Sequence, residues 1–346
     1  HVTLAGHPLP DEDSVAGAKR IIEIERSARK GDIVFHCQSG GATALTALPA
    51  PGISLADLQE VYRLLYFGRG ASMPEANAVR NHLVLLHSRH LRYVKEATFV
   101  QLHTQEIPPG LWPHVFKTPP PEDGYRAAIA VLKSYNCWER VPASVRAFLE
   151  RADPQYNHLS AEEKRQTPNY EFRVMGPEYM LAAAEKRARE LGLNTVILAT
   201  SLNDVEARPI GEALAYMAGE CETLHRPFAP PCMLICGGEL VVAVGDATGR
   251  GGRNQEFVLA AAPRLAGTRR IVMASVDSEG TDGPTDAAGG IVDGETWARA
   301  AAAGVDVFAE LANHNSYGAL SALGDLLYTG IRGMNVRDVR LIYVGA

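Results

Sequence analysis

The sequence predicts an α/β protein of two domains that meet at a cleft. Three observations carry that expectation. Apolar runs of strand length alternate with amphipathic runs of helix length along most of the chain. Glycine-rich turns join several of them, and 346 residues exceed what one ordinary core organises.

The elements follow in order. HVTLAGHPLPDEDSV reads as a strand running into a Pro-rich loop, in which His7 is read as structural, and Ala16–Lys30 as a helix. GDIVFHCQSGGATAL gives a turn, a buried strand over Ile33–Cys37, a glycine turn and a helix start. Ser54, with Asp57 three residues on, caps a helix over Leu55–Leu65. Pro74–His90 reads as another helix. Residues 101–125 are Pro-rich and irregular, and 150–178 read as a polar excursion. Regular alternation then returns. Met180–Leu191 is helical, TVILAT a strand and Val205–Gly219 a helix. MLIC and LVVAV form two strands around Gly237-Gly238, and a helix covers Phe257–Ala266. RIVMASVD is a strand, GETWARAAAAG and Tyr317–Leu327 are helices, and VRLIYVG is the last strand.

Composition narrows the function. The formal net charge is −6, from 34 basic and 40 acidic residues, so no global field favours nucleic acid or anionic lipid, and any bound anion must be gripped locally. No run approaches the ~18 apolar residues of a membrane span. Five scattered cysteines suit reduced thiols, and with no secretory leader the expected compartment is the cytoplasm. The chain opens at His1 inside a strand-to-loop passage, so an earlier stretch is expected to be missing from it.

Three motifs carry chemistry. Ser39-Gly40-Gly41, between a strand and a helix, offers backbone N–H groups to an anion; a tight βα turn is the alternative. It matches neither the Walker nor the dinucleotide fingerprint. Gly249–Phe257, GRGGRNQEF, sets flexible backbone beside Arg250 and Arg253, whose planar forks match phosphate, while Asn254 and Gln255 suit a hydroxy acid. Asp277–Gly290, DSEGTDGPTDAAGG, places four acids on a glycine loop after a strand, where hard oxygens suit Mg²⁺. Arg80 is a further candidate carboxylate clamp. Anion cradles, arginines and an acidic loop together read as phosphoryl transfer.

HPLPDEDSV, SGGATALTALPAPGISLADLQ, EANAVRNHL, GRGGRNQEFVLAAA, GTDGPTDAAGGIVD and HNSYGALSALGDLLYTG occur in the order found in the glycerate 2-kinases. Nearly the whole chain resembles this family, the type II glycerate kinases with a C-terminal MOFRL domain. The resemblance implies a Rossmann-like parallel-sheet N-terminal domain, incomplete at its start, over residues 1–228. A smaller MOFRL-type α/β domain would span 229–346, with the junction near Arg226–Pro231. It implies ATP- and Mg²⁺-dependent phosphorylation of the 2-hydroxyl of D-glycerate or a related small hydroxy acid. Arg250 and Arg253 would face the transferring phosphate. Ser39, Gly40, Gly41, Arg80, Gly251, Gly252 and Asn254 would hold substrate or phosphate, and Asp282 and Asp286 would lie near the metal. The partners implied are a small hydroxy acid and a nucleotide, with no nucleic acid or membrane, and a homodimer is the assembly allowed for.

The chain also departs from the family. The family's lysine in a Gly-Lys-Ala motif would precede His1, Asn81 stands where a cation is usual, LHTQEIPP lacks the expected aspartate, and GIRGMNV adds Arg332. These changes fall on polar loops and bring in a second reading, a non-catalytic sugar-acid or nucleotide-binding relative. A third, ranked last for want of a dinucleotide fingerprint, is a hydroxypyruvate reductase, a label attached to relatives.

Overall fold

The structure is a computed structural model that describes residues 2–67, 71, 73–104 and 124–346. Most of the Pro-rich stretch, residues 105–123 with the LHTQEIPP segment's second half, lies outside the described residues. The described chain forms two compact units, residues 2–103 with 124–174, and Thr104 with 175–346.

The first unit carries strands β1 (Ile33–Gln38), β2 (Thr98–Thr104) and β3 (Asn169–Met175) in that order, with β1 and β2 parallel and Ile33 opposite Thr98. Its helices are α1 (Glu12–Ser27), α2 (Ala42–Leu45), α3 (Leu55–Tyr62), α4 (Met73–Leu83), α5 (Gly124–Ser134), α6 (Ala143–Arg151) and α7 (Ala161–Gln166). Capping explains two of the starts. Asp11 and Ser14 form a reciprocal box ahead of α1, and the expected Ser54–Asp57 box opens α3. Leu58, Val61, Leu83, Leu132, Val145 and Leu149 make the core between α3, α4, α5 and α6. No strand forms at the start of the chain, where Val2 and Leu4 are exposed.

The second unit holds one sheet in the order β4-β5-β9-β6-β7-β8. Its strands are β4 (Asn194–Ala199), β5 (Cys232–Gly238), β6 (Ile271–Asp277), β7 (Gly289–Asp293), β8 (Leu326–Leu327) and β9 (Asp338–Val344). Only the β4–β5 pairing is parallel; β9 runs antiparallel to both β5 and β6, and β7 antiparallel to β6 and β8. Helices α8 (Pro177–Glu190), α9 (Ala207–Leu224), α10 (Arg253–Leu265), α11 (Thr296–Ala302), α12 (Val307–Ala312) and α13 (Ser316–Leu323) complete the unit. At the centre is α10, buried continuously from Asn254 to Ala262. A helix buried on every side packs against others rather than against water, which is why FVLAAA carries no polar stripe.

The compact units part at Val174–Met175, and β4 hydrogen-bonds to β5 across Arg226–Pro231 within the second unit. Two expectations change. The polar excursion contains β3, whose Tyr170, Phe172 and Val174 alternate with charged residues at strand period. LVVAV forms no strand beyond a bridge from Val241 to Glu206. Both edges of β5 are already occupied by β4 and β9, and Gly238, at φ +107°, turns the chain out of the sheet.

Helix α9 crosses α10 at a glycine. A Cβ on Gly211 would stand 2.2 Å from the Phe257 carbonyl oxygen, whereas a Cβ on Gly219 of the same helix would meet nothing within 4 Å. Gly211→Ala is therefore expected to destabilise the second unit by about 1–3 kcal/mol through overpacking. Gly219→Ala should stabilise it by roughly 0.5–1 kcal/mol. Thermal unfolding of the two variants beside the native protein checks the contrast.

Candidate active site

The glycine–arginine loop, the acidic loop and the start of β9 converge at one end of the second sheet. Register dictates this: Gly238 of β5 lies opposite Asp338 of β9, and Asp338 lies opposite Asp277 of β6. Three strands thus bring two carboxylates and a glycine turn side by side, and α10 starts against them.

Arg253, the first residue of α10, fills that position. Its Nε donates to Asp338 Oδ2 at 2.8 Å and its Nη2 to Asp338 Oδ1 at 2.9 Å and Asp277 Oδ2 at 2.6 Å. Nη1 pairs with Glu239 at 3.0 Å. A fork with every arm on a carboxylate is a structural hub first, and opposite charges hold its pKa up against burial. Around it, Arg340 bonds Asp338 at 2.8 Å and the Gly238 carbonyl at 3.2 Å, and Arg337 pairs with Glu239. Burial pushes the Asp277 carboxyl up to about 7; Arg253 opposes the rise and Asp338 adds to it.

Helix α10 has glycine at its N-cap, which supplies no side-chain acceptor. Asp282 supplies it instead from the acidic loop. Its carboxylate accepts from the backbone N–H groups of Asn254 (3.1 Å) and Gln255 (2.9 Å), and from both their side-chain amides at 3.1 and 3.0 Å. The acidic loop is locked in turn, since Thr285 donates to the Asp282 carbonyl at 2.8 Å. A Cβ on Gly252 would stand 2.3 Å from Asp282 Cγ, so glycine there leaves room for the cap. Gly251 likewise lies against Ser316.

The candidate site residues therefore divide. Asp282 is fully buried with its oxygens committed to amides, while Asp286 is exposed and accepts from Tyr317 Oη at 2.8 Å. The two aspartates do not form a metal pair, and among the described residues no group of three or more His, Cys, Asp or Glu could hold a metal. Asn254 is buried, its amide taken by Asp282 and its oxygen by the Ser275 hydroxyl, so it is not open to substrate. Arg250 is the exposed member of the loop. Its guanidinium lies 4.3 Å from the Tyr317 ring centroid, its Nε donates to the Pro284 carbonyl at 3.1 Å, and Asp286 lies 3.9 Å away.

Beside the loop opens a cavity of about 390 Å³ lined by Leu240, Val242, Gly251, Arg253, Glu256 and His314. Glu256 is buried there and pairs with Arg208 at 2.8 Å and His314 at 3.1 Å. Neither Glu256 nor His314 stands out in the sequence. The nearest signal is Glu256 directly after the Arg-Asn-Gln run.

The other candidates lie in the first unit. Ser39 and Gly40 follow β1 on an exposed loop, and Gly41, at φ +82°, leads into α2. Arg80, on α4, is buried with its Nε on Asn77 at 2.6 Å and its guanidinium 5.2 Å from the Tyr62 ring centroid.

A fold and a motif set of this kind define phosphotransferases that act on an alcohol group. Residues 232–338 match the MOFRL family, and residues 1–150 match a domain of unknown function, DUF4147. The chain is 37% identical to a glycerate 2-kinase of Pyrococcus horikoshii, over 98% of this chain and 77% of that one. It is 34% identical to a protein of Agrobacterium vitis named a hydroxypyruvate reductase, over 99% and 76% of the two chains. The crystal structure of a glycerate kinase from Thermotoga maritima superposes with a TM-score of 0.79 at 33% identity, covering 98% of this chain and 80% of that one. The chain belongs to the glycerate 2-kinase (MOFRL) family.

Two outcomes follow from the geometry. Asp282→Ala removes the α10 cap and strands buried amides, and is expected to lower stability by about 2–4 kcal/mol, read by denaturant unfolding. The second concerns pH. An aspartate titrates near ~3.9 when unfolded, whereas Asp277 holds its proton to about 7 in the fold. Its contribution is thus fully present below the unfolded value and is lost as pH rises to about 7, because the unfolded chain ionises first. Melting temperatures measured across that window should fall less steeply for Asp277→Asn than for the native protein.

Proposed function

We propose that the chain transfers the γ-phosphoryl group of ATP to the 2-hydroxyl of D-glycerate or a related small hydroxy acid, releasing ADP. The observation that carries this reading is Arg250. It is an exposed arginine at the mouth of a loop whose other arginine is locked into the fold, beside a cavity with room for a small ligand.

Phosphoryl transfer passes through a loose transition state with charge on the equatorial oxygens, so positioning and charge neutralisation supply most of the catalysis. Arg250 is free to swing its fork onto that charge, because its contacts are a ring face, one carbonyl and a distant carboxylate. Arg253 cannot leave its carboxylates without exposing them, and contributes as a fixed positive wall of the cavity. The described residues offer no multi-ligand metal pocket, so the Mg²⁺ of this proposal enters on the nucleotide phosphates as part of the substrate.

The test is ADP release from ATP, Mg²⁺ and D-glycerate, with Arg250→Ala as the comparison. Arg253→Ala would be uninformative, because breaking a buried ion pair costs about 3–5 kcal/mol of stability. Arg250→Ala is expected to lower kcat/KM by at least ~100-fold while changing stability by no more than about 0.5 kcal/mol. Absence of ADP with every hydroxy acid tried, from folded protein, overturns the kinase reading. Ligand-dependent thermal stabilisation without turnover would then mark the non-catalytic binding protein, and NADH oxidation with hydroxypyruvate the reductase.

A further inference from the structure

The first unit gathers cations where carboxylates are scarce. A cavity of about 670 Å³ opens beside the end of α1 and the helical turn His90–Arg92, lined by Arg26, Arg89, Arg92, Tyr93, Lys95 and Tyr156 among others. Its lining falls within residues 26–156, so it belongs to the first unit alone. It shares no lining residue with the polar pocket over the first sheet, at His36, Gln38 and His90, nor with the cavity beside the arginine loop.

The charges do not balance. Four of the lining side chains are cationic, and Glu96 is the carboxylate among them. Arg92 has an acidic partner, Glu163 at 2.9 Å, which lies outside the lining. Among the described residues Arg26, Arg89 and Lys95 form no ion pair. Arg26 and Lys95 are exposed, and the Arg26 guanidinium lies 5.2 Å from the Tyr93 ring centroid.

Arg89 is the unusual member, because it is buried. Its four hydrogen bonds all end on main-chain carbonyls: Asn157 at 2.9 Å, Val84 at 2.7 Å, His87 at 3.3 Å, and Tyr156. A guanidinium carries five N–H groups, so one on Nη2 is left over. These bonds tie residues 156–157 to 84–87, which accounts for the donors and leaves the charge unanswered. Carbonyl dipoles solvate a cation without cancelling it, and a buried charge is costly without an opposite charge. Burial, with Arg92 as the second cause, holds Arg89 down to about 10, so it stays charged at pH 7 beside a second guanidinium that repels it.

An anion in the cavity answers each of these conditions. Arginine forks match the oxygens of a phosphate. Three cations without an ion pair, set against one lining carboxylate, favour a dianion over a single carboxylate. The volume lies within the ~300–1,000 Å³ of small-molecule sites and far exceeds a bare phosphate ion. Tyr93, Tyr156 and Leu85 provide an apolar flank for a carbon skeleton.

We propose that this cavity binds a small organic phosphate ester, its phosphate drawn to Arg26, Arg89 and Lys95 and its carbon body set against the tyrosine rings. The site is separate from the arginine loop and takes no part in the transfer reaction.

The test is calorimetric titration of the intact protein with D-ribose 5-phosphate, beside inorganic phosphate, sulfate and D-ribose, with ¹H–¹⁵N spectra of the arginine side chains. Ribose 5-phosphate should bind saturably, at least about tenfold (~1.4 kcal/mol) tighter than inorganic phosphate, and move the Arg89 Nε–H signal. Ribose should do neither. The double variant Arg26→Gln, Lys95→Gln changes two exposed side chains with no ion pair to break, so the fold is kept, and it should weaken the ester at least about tenfold. Arg250→Ala should leave ester affinity unchanged. Absence of binding, inorganic phosphate or sulfate binding as tightly as the ester, unchanged affinity in the double variant, or affinity lost in Arg250→Ala would each overturn the assignment. ADP release is measured separately, so loss of the kinase reading leaves this result standing, and the converse.

Discussion

The second unit depends on a cap delivered from a distance. A helix that starts at glycine in a dry interior leaves its first N–H groups unpaired, and each buried unpaired donor costs about 1–3 kcal/mol. Asp282 meets them with one carboxylate, adding the favourable placement of negative charge at a helix N-terminus. That single contact ties the glycine–arginine loop to the acidic loop. One provides a helix start with no side chain in the way, and the other provides the acceptor that enters the space.

The arginine hub extends the same logic. Asp277 and Asp338 sit on neighbouring strands, and two buried carboxylates at that separation repel unless a cation lies between them. Arg253 is that cation, and the Asp282 cap fixes where it stands by fixing the first turn of α10. A site assembled this way is preorganised: the field at the cavity wall is set before any ligand arrives, with no side chain left to reorient. The cost is rigidity, which leaves Arg250 as the loop arginine with freedom to follow a moving phosphate.

Much of the fold was legible in the sequence because its signals are local. The Ser54–Asp57 box, the strand around Ile33–Cys37 and the last strand follow from capping and apolar period alone. The two loops were legible as neighbours of a sheet end, but the partners of their side chains were not. GRGGRNQ and TDGPTD do meet at one end of a sheet, yet composition cannot say whether an aspartate faces a metal or an amide. That depends on a contact between residues 254 and 282, which no local pattern encodes. The extent of the second compact unit has a similar cause. The proline run at Arg226–Pro231 has the composition of a linker, but parallel pairing of β4 with β5 joins what lies on either side of it.

The polar face of the first sheet meets a similar constraint. In the second unit Arg253 lies between Asp277 and Asp338 and Glu256 pairs with Arg208, although Gln255 Oε1, Ser316 Oγ and Arg340 Nε are buried without a hydrogen-bond partner. In the first unit the pairing stops short, with Glu25 committed to His90 and His36 left with a buried nitrogen unbonded. Folding alone gains nothing from such a group, since an aliphatic side chain at the same position would pack without the desolvation cost.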